Sequence, residues 1–301
     1  MHKEYNIRPY LAGMIFATLI GFSFYAIKLC VTSGTAIQIL TYRFNFAFLA
    51  VIIILICNKN KKIEMYAHKL PLLVIGATYI GFMLLQTIGL VIATSIECSI
   101  IFATIPIMVQ VIASFYLNEK TTKAQNFFAI LTVFALLVMI IKGATGIEVN
   151  IFGFIILIIS ALSMAVNNVL MRKYRGVFRP FEMSSMTVII GFIVFNVITI
   201  ILGIINNNIG EYFKPIKDPT FLFATIYLGV FCILITNTIA GYMYSKLKAV
   251  QSSIFGNLST AISISLGVIM LNEPFYTYQI ICTIMVLVGV IGINLKKTNI
   301  N

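Results

Sequence analysis

The sequence predicts an all-α polytopic membrane protein in which ten transmembrane helices form two inverted five-helix repeats. Three observations carry that expectation. Hydrophobic residues make up 60% of the 301 and charged ones only 10%, with a mean hydropathy of +1.03, a balance foreign to soluble domains. Apolar runs of about 20 residues, the length that crosses about 30 Å of hydrocarbon, fill nearly the whole chain. A Leu-Asn-Glu triplet with a Gln six residues after the Glu also occurs twice, at 117–125 and 271–279, each time directly after such a run.

The ten runs follow in order: Tyr10 to Cys30, Ile37 to Cys57, Leu70 to Ile92, Ile96 to Leu117, Ala124 to Ile141, Ile151 to Met171, Met183 to Ile205, Phe221 to Tyr242, Val250 to Leu271 and Tyr278 to Leu295. Each is long enough to span, and the short connections imply one compact bundle. The first run is too long for a secretory signal and has no small-residue cleavage site after it, so it reads as a permanent helix.

A net charge of +12 could suggest a nucleic-acid partner, but the basic residues alternate between the two ends of successive runs. With the N-terminus inside, sixteen Lys and Arg residues fall on the inner side, among them Lys59, Lys61, Lys62, Arg172 and Lys173. Only Lys28, Lys142, Lys214 and Lys217 fall outside, and Arg43 lies within a run. Basic residues are held back in the cytoplasm during insertion, so a multi-pass plasma-membrane protein with both termini cytoplasmic is expected. The charge is a topology signal, with attraction to anionic lipid secondary and no nucleic acid implied. The five cysteines stand singly without C-x-x-C spacing, and His2 and His68 lie in the tail and a basic loop. Neither set supports a metal or other cofactor.

Laying Glu119 on Glu273 aligns two helix pairs at one offset. Ser99, Ile100, Leu117, Asn118, Gln125, Ile130 and Lys142 fall on Ser253, Ile254, Leu271, Asn272, Gln279, Ile284 and Lys296. A fainter match puts Gly13 and Ser23 on Gly153 and Ser163. The chain therefore divides into repeats at 1–145 and 146–301. Five spans is an odd number, so the second repeat enters the membrane from the opposite side, the arrangement of secondary transporters.

These residues resemble the EamA family of the drug/metabolite transporter superfamily. Tyr42, Arg43 and Phe44 look like its Arg-Phe element. Ser95 to Glu119 looks like its run of small residues with a mid-helix Pro106 and a closing Glu, and Gln125, Glu273 and Gln279 are similar too. The resemblance implies a ten-helix carrier of amino acids or other small metabolites with a central cavity between the halves. The chain departs from the pattern in having Thr260 opposite Pro106, no Trp, and Glu97 where a small or apolar residue is usual.

A transport path needs inward-facing polar groups, which are costly in lipid and cheap in water. Ser253, Asn257, Thr260 and Ile264 share one helical face, answered on the fourth run by Ser99, Ala103, Pro106 and Gln110, and on the third by Tyr79, Met83 and Gln86. Small residues also serve plain helix packing, and Asn or Gln can tie helices together. Arg43, about 10 Å into its run at about 1.5 Å per residue, requires a partner or a wet pocket, and Glu97 is the acid expected to pair with it near the outer mouth. Snorkelling toward the interface is the alternative for Arg43. The candidate substrate-binding set is thus Arg43, Tyr79, Gln86, Glu97, Gln110, Asn257 and Thr260. Glu119 and Glu273 read as caps of the helices that follow them. Gly289 and Gly292, with Gly143 and Gly146, read as close packing or a dimer contact.

An intramembrane enzyme is disfavoured, since neither H-E-x-x-H nor G-x-S-x-G occurs and the sole Asp is Asp218. A channel would call for a filter or charged ring that inverted halves do not suggest. The expectation is a secondary transporter of amino acids or similar small polar metabolites, acting in export as a monomer or homodimer. A drug or organic-cation carrier of the same fold is the alternative.

Overall fold

The computed structural model describes residues 7–57, 69–117, 122–145, 150–174, 177–246 and 249–295. Twelve α-helices cover most of them: α1 Arg8–Val31, α2 Ala36–Cys57, α3 Lys69–Ile92, α4 Ser95–Ala103, α5 Ile105–Tyr116, α6 Lys123–Thr145, α7 Ile151–Lys173, α8 Pro180–Ile205, α9 Pro219–Ile226, α10 Thr236–Lys246, α11 Ala249–Met270 and α12 Thr277–Leu295. Seven spans, counting α4 with α5 and α9 with the start of α10, are long and apolar enough to cross a bilayer. The described parts of α6, α11 and α12 are shorter apolar helices of 10–17 residues. Large apolar side chains such as Phe115, Phe127, Ile130, Phe152 and Phe223 point outward, as suits a lipid solvent.

Two spans depart from a regular α-helix. Pro106 has no amide hydrogen and sits in the first turn of α5, so the fourth run divides at Thr104 into α4 and α5. The eighth run stays continuous but loosens into a π-helical segment, Tyr227–Ile235, between α9 and α10. Such bulges frequently mark functional positions. Within that segment Gly229 lets α2 approach closely: a Cβ there would lie 2.3 Å from the Arg43 carbonyl oxygen.

Element ends gather on two opposite faces. On one face Lys28 Nζ donates to the Ala93 carbonyl (2.5 Å), Gln38 Nε2 donates to the Glu211 carbonyl (2.9 Å), and the Ser33 hydroxyl donates to Asp218. On the other, Lys173 Nζ donates to Tyr116 Oη (2.9 Å) and lies 4.4 Å above its ring centroid.

Packing partners come in sets that interchange when the first five runs are swapped with the last five. α6 packs on α12, α2 on α8, and α4 on α11. α3 packs on α7, and correspondingly α1 packs on α9, the π segment and α10. α1 packs on α11, and α7 packs on α4 and α5. Gly289 and Gly292 belong to the first of these contacts, since a Cβ at either would strike Thr132 or Phe128 of α6 at 2.2–2.4 Å. They serve packing within the chain; the side chain position of Gly143 and all of Gly146 lie outside the described residues.

Candidate functional site

The interior polar groups lie where helices of the two halves meet. Ser99 Oγ of α4 is 2.6 Å from Ser263 Oγ of α11. Thr41 Oγ1 of α2 is 2.7 Å from Thr199 Oγ1 of α8, and one turn deeper Asn196 Nδ2 donates to Asn45 Oδ1 at 2.6 Å. Asn45 Nδ2 also donates to Tyr212 Oη (2.9 Å), and the Tyr42 hydroxyl donates to the Tyr212 carbonyl (2.8 Å), so the loop after α8 is tied over α2. Between α3 and α7, Asn167 Nδ2 donates to the Ile75 carbonyl (2.6 Å) and the Ser160 hydroxyl to the Phe82 carbonyl (2.8 Å). The sequence reading missed Thr41, Asn45, Asn167, Asn196 and Thr199. The signal was there, since Thr41 with Asn45 and Asn196 with Thr199 stand at i,i+4 and i,i+3 on otherwise apolar runs.

Of the expected site residues, Tyr79 and Gln86 are buried on one face of α3, with Met83 between them, and the Gln86 Oε1 has no hydrogen-bond partner among the described residues. The Tyr79 ring packs edge-on to Phe82, Phe82 on Phe102, and Phe102 on Phe24, at centroid separations of 5.5–5.7 Å. This aromatic row joins α3, α4 and α1 through the middle of the bundle. Thr260 is buried but returns its hydroxyl to the Gly256 carbonyl of its own helix (3.3 Å). Asn257 and Gln110 are half-buried, and the Ser253 side chain lies outside the described residues. One cavity lies away from these stripes. It is an apolar groove of about 280 Å³ on the flank of α1 and α9, lined by Phe22, Tyr25, Phe223 and Tyr227 among others.

The expected pair of Arg43 and Glu97 does not form. Glu97 closes a capping box at the start of its own helix: Thr94 N donates to its Oε2 (2.9 Å) while Glu97 N donates to Thr94 Oγ1 (3.1 Å). A helix N-terminus offers a carboxylate amides and a favourable dipole without a cation, which is why Glu97 turns there. Arg43, 3% exposed, instead sends Nε to the Leu228 carbonyl of the π segment (3.2 Å), and its Nη1 is buried without a hydrogen-bond partner among the described residues. The Cys30 and Cys232 thiols and the Tyr79 and Tyr227 hydroxyls lie within its electrostatic reach.

The repeated motif also behaves differently from expectation. Asn272 takes a left-handed backbone (φ 54°), ending α11, and throws Glu273 across to the other half. There its carboxylate accepts from Ser95 N (2.9 Å), Ser95 Oγ (2.6 Å) and Ile96 N (3.1 Å), capping α4 and not the following α12. The Gln residues cap the following helices instead: Thr122 N donates to Gln125 Oε1 (2.9 Å) and Tyr276 N to Gln279 Oε1 (3.0 Å). Glu119 lies outside the described residues.

An all-helical, multi-pass bundle with polar contacts at the seam of its halves has the form of a membrane transporter. The EamA-like transporter family model matches it twice, over residues 7–141 and 151–295, and the chain belongs to that family. The chain is 32% identical over 304 residues to the "Uncharacterized transporter YcxC" of Bacillus subtilis (strain 168), covering 99% of this chain and 96% of that one. A solved structure described as "Crystal structure of protein" superposes with a TM-score of 0.65 at 13% identity, over 96% of both chains, and so shares the fold.

Proposed function

We propose that this protein is a secondary transporter that exports amino acids or similar small polar metabolites across the plasma membrane by alternating access, without catalysing a reaction. Its working unit is ten spans in two inverted repeats, with both termini cytoplasmic, a monomer or homodimer that does not engage nucleic acid. The observation that carries the reading is the interchange of packing partners between the halves. Two similar units that can exchange their packing give two conformations of comparable energy, one open to each side. The double match of the family model supports the same division. Hydroxyl and amide groups at the seam, with the aromatic row beside them, suit a small solute with polar and apolar parts.

The test is flux in proteoliposomes against labelled amino acids, organic cations and sugar phosphates, with and without a pH gradient. Amino-acid movement that saturates is the expected result. Movement of organic cations alone would overturn the substrate assignment and leave transport standing.

A further inference from the structure

We propose that Arg43 is the anchor for a carboxylate on the transported molecule. The proposal rests on the transport reading above and narrows its substrate class to small carboxylates, held by their acid end. Arg43 lies seven residues into α2, about 10 Å from the helix end at about 1.5 Å per residue, and is almost wholly buried. A guanidinium keeps its charge at any physiological pH, so at that depth it needs an anion or a set of acceptors. The chain itself supplies no anion among the described residues. Glu97 is held by Thr94, Glu182 by the Arg179 amide, Glu211 by Lys214, Asp218 by Ser33 and Thr220, and Glu273 by Ser95 and Ile96.

One carbonyl, that of Leu228, takes Nε, and the buried Nη1 is left over. The guanidinium fork carries parallel N–H groups that match the two oxygens of a carboxylate, which a single carbonyl cannot satisfy. The Cys30 and Cys232 thiols and the Tyr79 and Tyr227 hydroxyls are among the groups that feel its charge, and as neutral groups they do not repel an anion. Gly229 brings the π segment against the Arg43 backbone, so two packed elements and not a loop fix the fork in place. The same arrangement disfavours an organic cation, which would meet an uncompensated like charge.

The experiment uses the full chain in proteoliposomes with four related probes: leucine, its amide, the matching amine without the carboxyl group, and the matching 2-oxo acid without the amino group. A wider panel of amino acids and 2-oxo acids identifies the best carboxylate if leucine is a poor one. Wild-type flux is expected to be inhibited by the two carboxylates and not by the amide or amine. Arg43→Gln is expected to weaken carboxylate binding by roughly 10- to 100-fold, the loss typical of one charge-assisted pair. Arg43→Lys, which keeps the charge and loses the fork, should fall between and narrow the preference for acid over amide.

Thermal unfolding of each variant separates a structural role. If Arg43 only braces the π segment, stability falls and the acid-over-amide ratio stays as in the wild type, which overturns the proposal. Should Arg43→Gln fail to fold, the ratio in Arg43→Lys decides alone. Transport of 2-oxo acids but not amino acids would sink the amino-acid reading and keep the anchor. Transport of amino acids unchanged in Arg43→Gln would do the reverse, and no carboxylate flux at all would sink both.

Discussion

Glu273 shows how much one carboxylate can organise at the rim of the bundle. Ser95 N and Ile96 N both point at it, so Glu273→Ala leaves two helix-end amides of α4 without their acceptor. The expected loss is about 1–3 kcal/mol, read as a lower unfolding temperature in detergent, with Glu273→Gln losing less because one oxygen remains. Asp218 sits outside the spans and gives a pH signature. The Ser33 hydroxyl, then the Thr220 amide, hold its carboxyl below the usual carboxylate range. A depressed folded-state value means that the charged form stabilises the fold above the unfolded carboxylate value, and that this contribution disappears as pH falls through the folded one. Unfolding temperatures of wild type and Asp218→Asn should therefore differ at neutral pH and converge in acid.

At the level of elements, the π segment and the α4/α5 break are the places where regular helix yields. Gly229→Ala would drive a methyl group into the Arg43 carbonyl, which is backbone and cannot swing aside. Overpacking of that kind costs about 1–3 kcal/mol, and α2 should part from the π segment. The check is a fall in unfolding temperature together with a weakened response to the Arg43 substitutions, since both act through the same contact. The sequence reading takes Ile96 to Leu117 as one run, although Pro106 inside it, lacking an amide hydrogen, carries the signal for the division into α4 and α5. No such signal marks the π segment. Its residues, Tyr227 to Ile235, have no Pro, and a one-residue change in hydrogen-bond register depends on what α2 presents to it.

For the whole molecule, the ties across one face are the contacts a carrier must release when it opens to that side. Cysteines placed at 95 and 273 in a cysteine-free background, joined by a bifunctional maleimide, should hold that face closed and stop net flux. The same cysteines modified singly should leave a larger residual flux. Equal flux before and after joining would mean that this face does not open during transport.

The membrane class, the places of the apolar runs and the internal doubling that the family model also matches were legible in the sequence alone. Hydrophobic length and charge bias are local sums, and a repeat is a comparison of the chain with itself, so no contact need be known. Buried Tyr79, Gln86 and Thr260 were readable for the same reason, as periodic faces on helices. Which polar group meets which was decided only by the tertiary structure. Opposite charge on one side of the membrane points Glu97 at Arg43, yet the amide at the start of its own helix satisfies the carboxylate instead. Glu273 was read as a cap for its own neighbour, and the left-handed turn at Asn272 aims it at another helix 178 residues away. Orientation about a helix axis and the direction of a turn depend on packing against distant segments, and that is where the chain leaves Arg43 with a hydrogen bond still to give.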